Sequence, residues 1–185
     1  GTACSSSPPP ASAEVLTASL RRELAQLRSA SARPVILIDG GAGSGKTTLA
    51  AEIAGEWPGR VETVSLDEVY PGWQGLARGS AEVPRLIKGG GFVTWDWAHG
   101  RPGPRRGLNR ALPLIVEGCG AITEASRALA GLAIWVELDE PLRRRRALAR
   151  DGAMFAGHWD EWAAQEVAHW QDHRPWLLAD LVIPG

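Results

Sequence analysis

A chain of 185 residues can bury one substantial core but is too short for two ordinary domains and a linker. Its net charge of -1 supplies no basic field for a nucleic-acid backbone, and no apolar run approaches the roughly 18 residues that span a bilayer. The 2 cysteines, Cys4 and Cys119, lie too far apart in sequence to suggest a disulfide framework or a metal-binding spacing, so a reducing cytoplasm is the expected setting.

Residues 1–13, with Ser5-Ser6-Ser7-Pro8-Pro9-Pro10, hold too few apolar groups to repay ordering and read as a tail or tag remnant; a single domain is expected over 14–185. From Glu14 to Arg28, Val15, Leu16, Leu20, Leu24 and Leu27 recur at three- and four-residue steps, which predicts an amphipathic N-terminal helix. Pro34 to Asp39 is a continuous apolar, β-branched run, the pattern of a central parallel strand covered on both faces.

The segment that follows, Gly40-Gly41-Ala42-Gly43-Ser44-Gly45-Lys46-Thr47, satisfies the whole G-x-x-x-x-G-K-[ST] pattern of a phosphate-binding loop. Glycines let backbone N–H groups converge on phosphate oxygens, and the N-terminus of the next helix adds partial positive charge. Gly41 through Thr48 are therefore the expected nucleotide contacts, with Lys46 bridging the β- and γ-phosphates and Thr47 ligating Mg²⁺ through its hydroxyl. Chance alone would produce the pattern on the order of once in a few hundred such sequences, before its strand–helix setting is counted. Lys46 to Glu56 is rich in Ala, Leu and Ile and reads as that helix, ended near Pro58-Gly59, and Val61 to Leu66 reads as a second strand.

Asp67 ends the second strand, where open α/β sheets place their ligands, and is the candidate general base; a turn or helix-cap aspartate is the plainer alternative. From Pro71 to Arg110 the chain is rich in Gly, Pro, Trp and Arg and is expected to be a long irregular stretch with one short helix over Ser80–Lys88. Within it, Trp95-Asp96-Trp97 flanks an acid with two indoles, suited either to a ring-bearing or polyhydroxyl substrate or to a core.

Leu114–Val116, Leu132–Leu138 and Leu181–Ile183 are further strands, and their alternation with helical segments predicts a parallel α/β sheet. Glu117 closes the first of these and is a candidate holder of Mg²⁺ or its waters, or else a turn cap. Arg143 to Arg146, with Arg150 one turn on, occupy a helix; adjacent arginines cannot all face one ligand, and Arg146 and Arg150 are the candidate transition-state arginines. His169 and His173 have the i,i+4 spacing of metal ligands, but with no acidic motif beside them a helix surface or core edge is the better reading. Cys119 reads as a small buried hydrophobe.

With these motifs in place, the chain resembles the uridine kinase and phosphoribulokinase group of small-molecule kinases over residues 34–185. Asp67-x-x-Tyr70 is similar to that family's strand-end Asp-x-Phe-Tyr, which implies a catalytic base at Asp67 and a pocket-lining Tyr70. Trp95-Asp96-Trp97 stands where the family has a Phe-Asp-His-Pro segment that binds ribose hydroxyls, and Arg101 follows it as a further substrate contact. Glu117-Gly118 resembles the metal-associated Glu-Gly, Arg143 to Asp151 the arginine-rich lid, and Ala179 to Gly185 the Ala-Asp-x-Ile-Ile-Pro ending. The resemblance implies a three-layer α/β/α fold with a five-stranded parallel sheet and a short lid, ATP and Mg²⁺ as cofactors, and γ-phosphoryl transfer to a hydroxyl of a small molecule such as a nucleoside. Asp-Trp-Ala in place of Asp-His-Pro, a shorter lid and the unmatched Trp73-Gln74-Gly75-Leu76 leave the acceptor open, and the oligomeric state with it.

Two other readings stay in view. A nucleoside monophosphate kinase could clamp an acceptor phosphate with Arg101, Arg105 and Arg106. A non-catalytic ATP-binding regulatory module would use the same loop without an acceptor. A guanine-specific switch is disfavoured because Asn109 is the sole asparagine, so no Asn-Lys-x-Asp motif exists.

Overall fold

The apolar run at 35–40 forms a strand, β1 (Val35–Gly40), buried along its whole length. Alternate side chains serve opposite faces: Val35 and Leu37 join one core cluster, Ile36 and Ile38 the other. Such a strand must lie between two helical layers. The computed structural model describes residues 16–185; the predicted tail, Cys4, and the predicted helical residues Glu14 and Val15 lie outside the described residues.

The remaining strands of this sheet are β2 (Glu62–Ser65), β5 (Leu114–Glu117), β6 (Leu132–Glu137) and β7 (Leu181–Pro184), and the order across the sheet is β2-β5-β1-β6-β7. All pairings are parallel, with Ile38 opposite Glu117, Ser65 opposite Glu117 and Gly40 opposite Val136. This register brings the ends of β1, β2 and β5 to one edge. The expected five-stranded parallel sheet is the one observed.

On one face lie α1 (Ala18–Ala30) and α2 (Lys46–Glu56), packing Leu20, Leu24, Leu49 and Ile53 onto Ile36, Ile115 and Ile134. The first helix starts at Ala18, later than its apolar pattern suggested, because the Thr17 side chain accepts from Leu20 N and caps it there; Leu16 is buried ahead of the cap. On the other face lie α3 (Leu76–Gly89) and α6 (Trp159–His173), with the short α4 (Glu124–Arg127). Two further helices, α5 (Glu140–Ala156) and α7 (Pro175–Leu178), complete the chain. No helix among the described residues is long and apolar enough to cross a membrane.

The stretch expected to be irregular is ordered throughout. Its helix, α3, is longer than Ser80–Lys88 and carries Pro84 within it, and the Gly/Pro/Arg-rich remainder is an antiparallel hairpin of β3 (Gly91–Asp96) and β4 (Arg101–Gly107). Proline and glycine frequency masked the hairpin because β4 alternates them with arginines in place of β-branched residues. Arg106 fastens the hairpin to the sheet edge: its guanidinium donates to Glu68 Oε2 at 2.7 Å and to the Thr63 carbonyl of β2 at 2.8 Å. That cation covers an edge carbonyl that would otherwise be open to pairing with another strand. At the opposite edge Asp180 holds β7, accepting from Ala133 N at 2.8 Å and from Arg127 at 2.7 Å.

Candidate active site

Between β1 and α2 the backbone turns through Gly43 at φ +80° and Gly45 at φ +102°, which an L side chain rarely adopts. Space also demands glycine here: a Cβ on Gly43 would lie 2.1 Å from the Arg143 carbonyl oxygen, and one on Gly41 would meet the Arg143 guanidinium at 2.3 Å. Arg143 is therefore no lid residue. It is 7% exposed and lies under the loop, donating to Leu138 O at 2.9 Å and Ala42 O at 3.3 Å.

Glu166, on α6, completes this support. Its carboxylate accepts from Ala42 N at 3.2 Å and stands 3.6 Å from Arg143 Nη1, so the peptide groups on both sides of Ala42 are held by one buried ion pair. Burial raises the pKa of Glu166, opposed by Lys46, the Ala42 amide and Arg143. Nothing in its residue type announced this role. The available signal was helical: Trp159, Trp162, Glu166 and His169 form the buried stripe of α6, so an acid at 166 had to face the core.

A second buried acid, Asp39, ends β1 and accepts from the backbone N–H groups of Gly40 (2.7 Å), Gly120 (3.1 Å) and Ile122 (3.0 Å). Burial pushes its pKa up to about 6, against the pull of those amides and of Lys46. His169 Nε2 stands 4.0 Å from it, and burial, then His173, depresses the imidazole to about 4. His169 is buried at the edge of the core, on the inward stripe of α6.

These two groups have opposite effects on stability. Between about 4 and 6 folded Asp39 holds a proton that the unfolded chain releases, so its contribution falls as pH rises, by about 3 kcal/mol over the whole shift from 3.8 to about 6. His169 lacks a proton that the unfolded chain holds between about 4 and 6.5, so its contribution grows as pH rises. We expect the stability difference Asp39→Asn minus wild type to increase from pH 4 to 6, and that of His169→Gln to decrease, as read by urea unfolding. Parallel curves for all three proteins would refute this assignment.

Above the loop opens a cleft of about 360 Å³, a size suited to small molecules. It is lined by Ala42, Gly43, Gly45, Lys46, Thr47 and Thr48 from the loop and α2, by Asp67 and Tyr70, by Glu117 at the end of β5, and by Arg150 of α5. Lys46 donates to Gly41 O at 2.8 Å and is 8% exposed; desolvation lowers its pKa, yet the surrounding acids, Glu117, Glu166 and Asp39, help to outweigh that and raise it. Thr47 donates to Glu117 Oε1 at 3.1 Å. Burial raises the pKa of Glu117, with Lys46 and the Ser65 and Thr47 hydroxyls opposing and Asp67 adding to it.

Asp67 lies in a 3-10 turn, Leu66–Glu68, capped by the Ser65 side chain. It faces solvent across the concave cleft, but the protein around it raises its pKa above the usual carboxylate range, with Lys46 and Arg150 pulling the other way. Tyr70 is 1% exposed and donates to Cys119 O at 2.6 Å, so its ring lines the cleft while its hydroxyl is held by backbone. Burial raises the Cys119 thiol, which keeps it protonated and inert.

Six of the residues expected at the site stand apart from this cleft, Gly41 among them, which faces a groove beside Arg143. Ser44 is fully buried, and Arg146 points to solvent on α5. Trp95 faces a separate groove beside α3, and Asp96 turns its carboxylate to His99 Nδ1 at 2.7 Å and the amides of Ala98 and His99, closing the hairpin turn. Arg101 pairs loosely with Asp96 at 3.8 Å on the exposed hairpin. Of the Trp95-Asp96-Trp97 segment only Trp97 reaches the cleft, because it lies past the end of β3, in the hairpin turn, and is freed from the strand's alternation. Trp73, Asp151, Phe155 and Trp162 line the cleft without having been singled out.

No protein-family model and no curated protein matches the chain. Among solved structures, a "possible uridine kinase" from Bacillus stearothermophilus superposes with a TM-score of 0.58 at 17% identity, covering 89% of this chain and 99% of that one. A chain from Silicibacter sp. TM1040, described provisionally as a fructose transport system kinase, gives 0.52 at 18% identity, covering 90% and 98%. At these identities the likeness establishes the fold alone, an α/β fold with a five-stranded parallel sheet shared with those two chains.

Proposed function

We propose that this protein is an ATP- and Mg²⁺-dependent phosphotransferase that moves the γ-phosphoryl group of ATP to a hydroxyl of a small molecule. The observation that carries the reading is one cleft holding the loop's Lys46 and Thr47 together with two carboxylates on neighbouring strand ends, Asp67 and Glu117. The loop fits polyphosphate: a buried ammonium, a helix N-terminus and a turn that only glycine accommodates converge there. Thr47 and Glu117 fit Mg²⁺, a hydroxyl and a carboxylate already 3.1 Å apart, which matches the ion's preference for a few oxygen ligands. Mg²⁺ supplies charge neutralisation on the phosphates. Lys46 holds phosphate oxygens, Asp67 accepts the proton of the acceptor hydroxyl and orients it, and Arg150, held by Asp151 at 2.9 Å, faces the same cleft as a cation for the developing charge.

Against the monophosphate kinase alternative, Arg106 is committed to Glu68 and Thr63, Arg101 to the hairpin turn, Arg105 faces the groove beside α3, and none of the three lines the cleft. The test is a coupled ADP-release assay across neutral alcohols, sugars, nucleosides and nucleotides. We expect acceptor-dependent ADP release that EDTA abolishes and added Mg²⁺ restores. ATP binding with no stimulation by any alcohol would favour the non-catalytic module instead, and stimulation by nucleotides alone would favour the monophosphate kinase.

A further inference from the structure

Beyond the phosphate loop the cleft changes character. Its polar side chains act on one another at the loop end, where Lys46 and Arg150 oppose the burial that raises the pKa of Asp67, and Arg150 also feels Asp151 and Glu117. The remaining wall is aromatic: Trp73, Trp97, Phe155 and Trp162, with Tyr70 behind them. The rings form one contiguous group, Trp73 lying 5.0 Å from Trp97, 5.4 Å from Phe155 and 6.5 Å from Trp162 between centroids, and Trp162 lying 4.7 Å from Tyr70.

The hydrogen-bonding side-chain atoms of Trp97, Trp162 and Tyr70 in this wall are engaged inside the protein. Trp97 Nε1 donates to Asp67 O at 2.7 Å, the Trp162 side chain bonds to Cys119, and the Tyr70 hydroxyl bonds the Cys119 carbonyl. Gln165, which supports Trp73, gives its amide to Trp73 O at 2.6 Å and accepts from Leu76 N at 3.2 Å. A molecule seated there meets ring surface, and a row of hydroxyls pressed against it would go unpaired. Charge narrows the choice further: Asp67, Glu117 and Asp151 outnumber Lys46 and Arg150, so an anionic acceptor is disfavoured.

Resting on the phosphotransferase reading, we infer that the acceptor is an uncharged alcohol whose hydroxyl stands on a saturated carbon attached to a flat aromatic ring, held by ring contact with Trp97 and Trp73 and not by hydrogen bonds to further hydroxyls. The Trp97–Asp67 bond joins that wall to the residue that receives the hydroxyl proton.

Calorimetric binding, with a non-hydrolysable ATP analogue and Mg²⁺ present, compares 2-phenylethanol and 3-pyridinemethanol with ribose and sorbitol, and uridine with 2′,3′-dideoxyuridine. We expect saturable binding of the ring alcohols, none of the polyols, and dideoxyuridine within about threefold of uridine. Trp97→Ala, at a side chain 38% exposed and so tolerant of change, should weaken ring-alcohol binding about tenfold with ATP-analogue affinity unchanged, and Trp73→Phe should retain most of it. Polyols binding more tightly than ring alcohols, a loss of more than about tenfold on removing the ribose hydroxyls, or indifference to Trp97→Ala would overturn the inference. Ring alcohols that bind without acceptor-dependent ADP release would leave it standing and defeat the phosphotransferase reading; ADP release driven equally well by polyols would do the reverse.

Discussion

Asp67→Asn is expected to lower kcat by about 10² to 10⁴-fold while leaving ATP affinity within about twofold, because a general base acts on the acceptor proton and not on the donor. The structure isolates that carboxylate for such a role. Backbone on both sides of it is fixed, by the Ser65 cap and by Trp97 Nε1 on the Asp67 carbonyl, yet among the described residues no hydrogen bond engages the carboxylate itself. Its pKa, raised by the surrounding protein, moves toward neutral pH, where a base is both deprotonated and able to draw a proton. The sign is testable too: activity should be lost as pH falls through that raised value, and Asp67→Asn should flatten this acid limb. A variant whose kcat stays within about threefold of wild type would remove Asp67 from the chemistry and return it to the turn-cap role.

The fold was legible because its signals are local. A phosphate loop between an apolar run and an Ala/Leu-rich segment specifies strand, turn and helix, and three later apolar runs complete a parallel sheet. The hairpin was hidden because β4, reading Arg-Pro-Gly-Pro-Arg-Arg-Gly, carries no strand propensity and owes its shape to partners distant in sequence. For the site, the loop, Asp67, Glu117 and Arg150 could be named from strand ends and charge. The support beneath the loop could not: Asp39 reads as the last residue of a strand, Glu166 as one acid among several on a helix, and Arg143 as one arginine in a run of four. Which member of such a run is buried depends on the helix phase, and only packing fixes that. The aromatic wall was half visible, since Trp97 was flagged beside Trp95, but it joins residues from four separated segments.

The Glu166–Arg143 pair carries the second large effect. Glu166→Leu is expected to cost about 3–5 kcal/mol in urea unfolding, since it leaves a nearly buried guanidinium without its counter-charge and the Ala42 N–H without its acceptor. Arg143→Met should cost less, because the Glu166 carboxyl, already raised by burial, can take up a proton and stay neutral. The double variant should be less destabilised than the sum of the singles by at least about 1 kcal/mol, removing both charges together. Glu166→Gln separates the two contacts: it keeps an acceptor for Ala42 N but loses the charge that holds Arg143 against Ala42 O, so stability should fall less than in Glu166→Leu while ATP affinity falls several-fold. Additive single and double variants would mean that the two residues act apart, and full ATP affinity in Glu166→Gln would mean that the loop keeps its shape without the pair. Because Ala42 is held through its N–H by one partner and through its C=O by the other, stability and phosphate binding should be coupled through a single residue.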